Sequence, residues 1–411
     1  MAKQRRITRE SKRIRAHFHI TDFNNGGIES SLLQWLQILD RSLFRVSLSV
    51  TYASPALEHR FRAQIPADVP IEVLADRPWL RYFQSRRHQN RLGKPGRVAR
   101  DVHSALVVRP HVAKRIKAIA SDVDVIIDYD MSLRRLCGQF DVAWLGIHHF
   151  SFRARLSGRA NRVRRLLRQY GGYDCLGALN EQMAEEAMQM FGSQLKGVAV
   201  LPNAIDVEAV RKRAAAGHSE LGLGGPYIVS VARLDELQKD HRTLLRAYAA
   251  MVRQHAVDEQ LVIVGDGAHR NELEALAREL GIAGRVHFTG QLDNPHPVMA
   301  GASMLVLSSK NEGMPMVLIE ALALGQVVVA TDCPTGPRAI LNHGKAGVLV
   351  PVGDVDAMAA AMARLINDEP LRQAYAEVAV ARAAFFDVKQ SNQRLYDCLE
   401  DIRSARRKIA A

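Results

Sequence analysis

The feature of this sequence that most constrains its fold is a repeated alternation of short β-branched segments with longer segments of helical periodicity. Strands that alternate with helices pair in parallel, and the helices cover both faces of the sheet. The alternation stops at a glycine-rich stretch, 222–226, and then restarts. It predicts an α/β protein of two doubly wound, Rossmann-like domains that face each other across a cleft. The predicted strands are 14–21, 46–52, 123–128, 142–147 and 198–201 in the first half, and 227–231, 261–264, 286–288, 304–307 and 327–330 in the second.

The composition excludes several classes of protein. With 411 residues, of which 47% are hydrophobic and 24% charged, the chain is typical of a globular protein with more than one core. No run of about eighteen apolar residues is present, so no membrane-spanning helix is predicted. No apolar leader follows the basic N-terminus, so a signal peptide is not expected either. The four cysteines lack paired spacing, which disfavours structural zinc and disulfides and favours a cytoplasmic location.

Positive charge is concentrated in the first half of the chain. Residues 1–216 contain 36 Lys and Arg against 20 Asp and Glu, whereas the remainder contains 20 against 23. Three clusters, 3–15, 81–100 and 153–168, hold much of the excess, either as solvated surface or as surface that attracts phosphate-bearing partners. We expect an anionic membrane surface as a partner, on the inner face of the plasma membrane. Nucleic acid is not expected, because only 6% of residues are aromatic and no nucleic-acid-binding signature accompanies the charge.

The segment 308–322 combines several features of an anion-binding site. It follows an apolar strand, turns at Gly313, and then opens a helix with Pro315 suited to the first helical turn. A strand–glycine–helix turn presents free backbone amides and the positive end of a helix dipole, which together favour a diphosphate. Glu312 and Glu320 lie on either side of that turn and are able to bind neutral hydroxyl groups. The alternative interpretation is an acid that caps the helix and a solvated glutamate within it.

The spacing of these two glutamates, in the form EGMPMVLIEA, resembles the family 4 glycosyltransferases of the GT-B fold. The resemblance extends over most of the C-terminal half, where further motifs follow in the expected order. The segment 332–338 is similar to a variant of the enzymes that assemble bacterial surface polysaccharides. Ala339 departs from the glutamate that is common after this turn, which affects the expected identity of the donor sugar. The other motifs are 229–234 with 238–240, 264–267 and 286–290.

The resemblance implies a role for each matching residue. Glu312 is expected to bind hydroxyls of the donor sugar, and Glu320 the ribose diol of its nucleotide. Arg233 and Lys239 are expected to stabilise the diphosphate as the glycosidic bond breaks, which removes the need for a metal cofactor. No cofactor is therefore expected, although Asp122, Asp124, Asp128, Asp130, Asp354 and Asp356 have the DxD spacing of metal-binding glycosyltransferases. The remaining donor-binding residues are expected to be Gly313, Met314, Pro315 and Met316.

Two N-terminal features complete the predicted site. Gly26 and Gly27 lie between the first strand and the first helix and resemble the family's glycine loop, where backbone amides approach a phosphate or an acceptor. A histidine at the end of a strand faces the donor sugar in many family members. His148 is the predicted residue and His149 the alternative, because adjacent strand residues point to opposite faces.

The resemblance predicts a retaining enzyme that transfers a sugar from a nucleotide sugar to a saccharide or lipid-linked acceptor of the bacterial envelope. UDP-hexose or UDP-N-acetylhexosamine is the expected donor. The predicted domains are 1–215 on the acceptor side and 216–384 on the donor side, with a final helix, 385–411, that packs back onto the first. The alternatives are a sugar-nucleotide epimerase of the same fold, a phosphorylase, and a non-catalytic protein that binds anionic lipid.

Overall fold

The structure of the chain, a computed structural model, describes residues 13–24, 26–88, 93–156, 160–217, 222, 225–255 and 257–410. Two all-parallel β-sheets lie in this part of the chain, one in each half. The strands of the first sheet are β1 (Ile14–Ile20), β2 (Phe44–Val50), β3 (Ile71–Val73), β4 (Val125–Asp128), β5 (Ala143–His148), β6 (Cys175–Ala178) and β7 (Val198–Val200). Those of the second are β8 (Tyr227–Val231), β9 (Gln260–Val264), β10 (Val286–Gly290), β11 (Met304–Leu307), β12 (Val328–Thr331) and β13 (Val348–Val350).

Both sheets are doubly wound. The strand order is β3-β2-β1-β4-β5-β6-β7 in the first sheet and β10-β9-β8-β11-β12-β13 in the second. In each sheet the chain moves outward from a central strand to one edge and then crosses to the other side. The crossing points lie between β1 and β4 and between β8 and β11, where ligands of such sheets bind. The predicted fold class, two Rossmann-like α/β domains, is confirmed.

Helices connect the strands and cover both sheets. In the first half they are α1 (Gly27–Ile38), α2 (Pro78–His88), α3 (Lys94–His103), α4 (Arg109–Ala120), α5 (Phe152–Leu156), α6 (Ala160–Tyr170), α7 (Glu181–Phe191) and α8 (Val207–Ala215). In the second they are α9 (His241–Gln254), α10 (Arg270–Glu279), α11 (His296–Ala300), α12 (Met316–Ala323), α13 (Gly336–Ile340), α14 (Val355–Asn367), α15 (Glu369–Ala383) and α16 (Val388–Ala410). Short π-helical turns at Leu57–Phe61 and Ser104–Val108 interrupt this pattern.

Local sequence explains where several elements begin. The central strands β4 and β11 are fully buried runs, VIID and MLVL, as expected for parallel strands covered on both faces. Side-chain oxygens cap helices: Asp354 accepts from the Ala357 backbone N–H at 2.9 Å and begins α14. The interpretation of Asp354 as a helix cap is therefore confirmed.

The chain crosses between the two halves twice, at neighbouring points. The Ile205 amide donates to the Phe386 carbonyl at 2.9 Å, and α16 then runs back along the first half. Asn392 on α16 donates to the Ile38 carbonyl at 2.9 Å, and Arg406 forms an ion pair with Asp174 at 3.1 Å. These contacts attach the end of the chain to the first sheet.

Helix α8 lies in the first half of the chain but packs against the second domain, although its residues precede the predicted domain boundary at 215. The Arg211 guanidinium donates to the Ala323 carbonyl of α12 at 2.9 Å, and Asn294 donates to the Arg213 carbonyl at 2.8 Å. The first crossing therefore lies before α8, near Ile205, rather than at 215. The sequence places the glycine-rich stretch after this helix, which explains why the boundary was expected later.

No helix in the described ranges is long and apolar enough to cross a bilayer. Several residues of the predicted charged clusters and turns lie outside the described residues. They are 3–12, Asn25, 89–92, 157–159, and positions 223 and 224 of the glycine-rich stretch.

Candidate active site

A cleft separates the carboxyl ends of the two sheets, and a cavity of about 360 Å³ opens within it. The loops that follow β1, β5, β8 and β11 line the cavity, so both crossing points contribute to it. Ten of the eleven residues that the sequence predicted for the site lie here: Gly26, Gly27, Arg233, Lys239, Glu312, Gly313, Met314, Pro315, Met316 and Glu320.

Lys239 and Glu312 form an ion pair at the floor of the cleft. The Lys239 Nζ lies 2.5 Å from Glu312 Oε1, and the two side chains are 14% and 6% exposed. The Ser309 hydroxyl donates to the same carboxylate oxygen at 2.6 Å. A buried ion pair of this kind fixes the positions of both charged groups and excludes solvent from them. A ligand that offers an anion to Lys239 and hydroxyls to Glu312 can therefore use both groups at once.

The loop that carries Glu312 is held by backbone and side-chain hydrogen bonds. The Glu312 amide donates to the Pro334 carbonyl at 2.8 Å, and the Thr335 amide donates to the Glu312 carbonyl at 3.1 Å. On the other side, the Ser308 hydroxyl donates to the Lys239 carbonyl at 2.9 Å. The loops after β8, β11 and β12 are thus joined, and the ion pair lies where they meet.

Gly313 lies where the backbones of the two halves of the protein approach each other closely. A Cβ atom at this position would lie 1.8 Å from the backbone oxygen of His149, in the opposite domain. The Asn180 side chain donates to the Gly313 carbonyl at 3.4 Å, and Asn203 donates to the Met314 carbonyl at 3.3 Å. Only glycine allows this approach, and the two asparagines hold the turn from the N-terminal side.

The two asparagines were not predicted from the sequence. Asn180 follows β6 and Asn203 follows β7, and both are buried. Their only sequence signal is a polar residue directly after a strand, which is also what an ordinary helix cap or turn produces. Asn180 does cap α7, because its side chain accepts from the Met183 amide at 2.9 Å. Arg60, on the π-helical turn, also lines the cavity and had no sequence signal.

Pro315 precedes α12 and caps it, so it does not lie in the first helical turn as expected; the helix begins at Met316. The amino end of α12 therefore points into the cleft with its first backbone amides, which favours an anion there. Glu320 lies on the same helix and also lines the cavity. Burial raises the pKa of the Glu320 carboxyl above its ordinary value, and Arg213 offsets part of this effect.

Arg233 lies at the mouth of the cleft and is largely exposed. Its guanidinium is 3.9 Å from an Asp235 carboxylate oxygen and 3.5 Å from the Gln238 side-chain oxygen. These are weak contacts for an arginine, so its charge is directed mainly toward solvent and the cavity. Together with Lys239 and the amino end of α12, it contributes positive charge to the lining of the cleft.

Of the two candidate histidines, the structure places His149 in the cleft. His149 lines the cavity, and its Nε2–H donates to the Tyr129 carbonyl at 2.6 Å. His148, the predicted residue, lies outside this cavity and stacks on Phe152 with ring centroids 3.5 Å apart. It lines a neighbouring cavity instead. β5 ends at His148, and His149 begins the loop that follows, which explains why only His149 reaches the cleft.

Within the described residues, no group of three or more His, Cys, Asp or Glu is arranged to bind a metal ion. Asp128 and Asp130, which have the spacing of a metal motif, accept backbone N–H groups instead. Asp128 Oδ2 accepts from the Leu133 amide at 2.7 Å, and Asp130 Oδ2 accepts from the Thr21 amide at 3.0 Å. Burial raises the pKa of Asp128 to about 8.

Comparison with protein families identifies the second domain. Residues 214–382 match the family described as glycosyl transferases group 1. The resemblance carried by the 312–320 spacing is therefore confirmed for the C-terminal domain, which contains Arg233, Lys239, Glu312 and Glu320.

Curated relatives are similar over part of their length. An N-acetylgalactosamine-N,N'-diacetylbacillosaminyl-diphospho-undecaprenol 4-alpha-N-acetylgalactosaminyltransferase of Campylobacter jejuni is 36% identical over 203 residues, which cover 49% of this chain and 53% of that protein. The lipopolysaccharide core biosynthesis glycosyltransferase LpsE of Rhizobium meliloti is 34% identical, over 37% of this chain and 43% of that protein. The chain thus spans about half the length of such relatives.

Solved structures agree over nearly the whole chain. The structure of Anabaena Alr3699/HepE in complex with UDP and glucose superposes with a TM-score of 0.73 at 19% identity, covering 94% of this chain and 100% of that one. The apo lipopolysaccharide outer core galactosyltransferase WaaB superposes with a TM-score of 0.67 at 18% identity, covering 94% and 99%. These similarities establish the GT-B fold.

Proposed function

We propose that this chain, whose C-terminal domain is a group 1 glycosyltransferase domain in a GT-B fold, transfers a hexose or N-acetylhexosamine from a UDP-sugar to a saccharide or lipid-linked acceptor. The proposal places the reaction in the assembly of a bacterial envelope glycan, on the cytoplasmic side of the membrane. It is supported by the named activities of the Campylobacter and Rhizobium relatives and by UDP in the Anabaena structure.

The observation that carries the proposal is the pairing of Lys239 with Glu312 in a cleft that also contains Arg233 and the amino end of α12. A nucleotide sugar has a diphosphate flanked by two groups rich in hydroxyls. Cations and backbone amides suit the diphosphate, and carboxylates suit the hydroxyls. Glu312 precedes the α12 amino end, Glu320 lies within α12, and both line the cleft, so one carboxylate is available for the sugar and the other for the ribose.

In the proposed reaction, the bond between the anomeric carbon and the UDP β-phosphate oxygen breaks as an acceptor hydroxyl attacks from the same face. The hydroxyl proton passes to the departing phosphate oxygen, so the products are the glycoside and UDP, with the anomeric configuration retained. Lys239 and Arg233 stabilise the charge that develops on the diphosphate. Because these cations lie ready in the cleft, the proposal requires no metal cofactor. In this proposal His149, which lines the cleft from the opposite domain, contacts the donor sugar.

The proposal is tested by titrating UDP into the protein in the presence of EDTA, and by following transfer or hydrolysis of UDP-sugars. Glu320→Ala and Lys239→Met are expected to lose nucleotide binding and turnover, while circular dichroism shows that they remain folded. Arg253→Gln, on the distal end of α9, is a control that lies outside the cleft. Full activity in both cleft variants would contradict the proposal. Product NMR reports the anomeric configuration independently.

The alternatives make different predictions in the same assays. A sugar-nucleotide epimerase would convert a UDP-sugar to its epimer without any acceptor, and a phosphorylase would need free phosphate. A non-catalytic protein would bind anionic vesicles but turn over no UDP-sugar. Basic residues of the N-terminal half would supply such membrane binding, which we propose as an accessory to transfer.

A further inference from the structure

A second cavity, of about 500 Å³, opens at the carboxyl edge of the first sheet and is larger than the donor cavity. It lies beside the ends of β1, β2 and β4, where Thr21, Thr51 and Ser132 contribute to its wall. The donor cleft uses none of these residues. The cavity therefore has the position of a ligand site in a doubly wound sheet but no role in binding the donor.

Arginines dominate the polar wall of this cavity. Arg100, Arg109, Arg134 and Arg135 line it, against Asp101 as the single acidic residue among its lining residues. Asp101 is paired with Arg100 at 2.7 Å. For Arg109 and Arg135, no hydrogen bond or ion pair of the guanidinium occurs within the described part of the chain. Burial and the neighbouring charges of Arg109, Arg134 and Arg165 lower the pKa of Arg135.

Apolar side chains form much of the rest of the wall. Leu80, Phe83, Val108, Val112 and Leu136 line the cavity. The segment 98–106, part of which lines the cavity, also carries apolar side chains that are exposed outside the cavity. Leu106 is 73% exposed. Val98 and Val102 continue this exposed row at intervals of four residues along α3. A site lined by both arginines and hydrocarbon suits an amphiphilic anion.

A smaller cavity of about 180 Å³ lies between this site and the donor cleft. It shares Arg134 and Arg135 with the arginine-lined cavity, and it shares Ile28, His149 and Phe150 with the donor cavity. Arg162 and Arg165 add further positive charge to its wall. Its one acidic lining residue, Asp130, is already engaged by the backbone amides of Thr21 and Ser132. Neighbouring cavities thus mark out a path from the donor cleft to the arginine-lined cavity, and in both cavities beyond the cleft the described lining residues include more arginines than acids.

We propose that Arg109, Arg134 and Arg135 bind a phosphate or diphosphate group of the acceptor, with its hydrocarbon against the wall of Leu80, Phe83 and Val112. The acceptor hydroxyl then lies at the other end of the path, near His149. Calling the ligand the acceptor rests on the proposed function, but the site itself does not. Arginine guanidinium groups form the strong, charge-assisted hydrogen bonds that phosphate binding requires.

The test is calorimetric titration of farnesyl diphosphate into protein whose donor cleft is saturated with UDP. Binding is expected in the wild type and is expected to weaken by about tenfold or more in Arg109→Gln/Arg135→Gln. Arg164→Gln/Arg168→Gln is the matched control, because it removes the same charge from α6 at residues that line none of the three cavities. The control is expected to bind as the wild type does.

Two further probes distinguish binding through the phosphate groups from binding through the hydrocarbon. Inorganic pyrophosphate binding as tightly as farnesyl diphosphate would retain the anion site but overturn the hydrocarbon wall. Farnesol binding as tightly would overturn the arginine site, as would equal weakening in both double variants or no binding in the wild type. UDP affinity is measured in every variant. Loss of the arginine site alone would leave UDP binding intact, whereas failure of the proposed function would appear as absent UDP binding in the wild type.

Discussion

Lys239 and Glu312 lie in loops from different strands, yet their charged atoms approach to 2.5 Å in the cleft. The two residues are 73 positions apart in the chain, so the pair exists only because β8 and β11 are neighbours in the sheet. The strand order reverses between β8 and β11, so the loops after these two strands lie side by side. This brings a cation and a carboxylate to the same end of the sheet. The ion pair connects the fold directly to the proposed chemistry.

Breaking this pair on one side should cost stability. Lys239→Met leaves the Glu312 carboxylate buried without its cation, and we expect a loss of about 1–3 kcal/mol in the free energy of unfolding. Lys239→Met/Glu312→Gln removes both charges and should recover most of that loss, while UDP binding remains impaired. Chemical denaturation of the four proteins in this cycle measures the coupling. Additive losses in the double variant would show that the pair does not act as a unit.

Gly313→Ala should affect the contact between the domains. The added Cβ would overlap the His149 backbone oxygen, so the loop or the domain arrangement must shift, at a cost of about 1–3 kcal/mol. Both the melting temperature and UDP affinity are expected to fall. Gly27→Ala is a suitable comparison for stability, because its Cβ would meet no atom within 4 Å. Equal melting temperatures for the two variants would contradict the close approach.

Substitution of the two adjacent histidines should separate catalysis from packing. His149→Ala is expected to lower the rate of sugar transfer with little change in UDP affinity, because His149 lines the cleft from the N-terminal domain, where we propose that it contacts the donor sugar. His148→Ala removes the stacked contact with Phe152 and is expected to lower the melting temperature more than the rate. Steady-state kinetics and thermal unfolding of both variants provide the measurement. A larger rate loss in His148→Ala would reverse the assignment.

Glu320 should reduce stability while it supports binding. Its pKa in the folded protein lies above the ordinary value of 4.5, so the native state binds more protons than the unfolded state between the two values. Stability is therefore lost as pH rises through that window, and the loss persists at neutral pH. Glu320→Gln should melt at a higher temperature than the wild type at pH 7 and bind UDP more weakly. The difference in melting temperature should vanish below about pH 4. A less stable variant at pH 7 would contradict this role.

Most of the fold could be predicted because its central strands are β-branched and continuous. Three strands were not predicted. The sequence of β6, CLGA, has no β-branched residue, and its glycine packs against side chains of neighbouring strands. β3 and β13 are three residues long and lie at sheet edges, where pairing with one neighbour forms the strand. No periodicity develops over so short a segment.

The residues of the candidate site likewise divide into those that the sequence predicts and those that it does not. Glu312, Glu320 and the turn between them form one local segment, so their spacing was visible in the sequence. Asn180 and Asn203 contact that turn from the other domain, and such contacts depend on how the domains meet. The choice between His148 and His149 depends on where β5 ends, and adjacent histidines carry no information about that.

The most direct test of the account is titration of UDP into the wild-type protein and Lys239→Met, both in EDTA. The cleft brings Lys239, Arg233 and the amino end of α12 to one place, so the wild type should bind UDP without a metal. Removal of the Lys239 charge should weaken that binding by about tenfold or more, since hydrogen bonds to charged groups contribute about 1.5–3 kcal/mol. Equal UDP affinity in the two proteins, or none in the wild type, would contradict the assignment of the cleft as a nucleotide-sugar site.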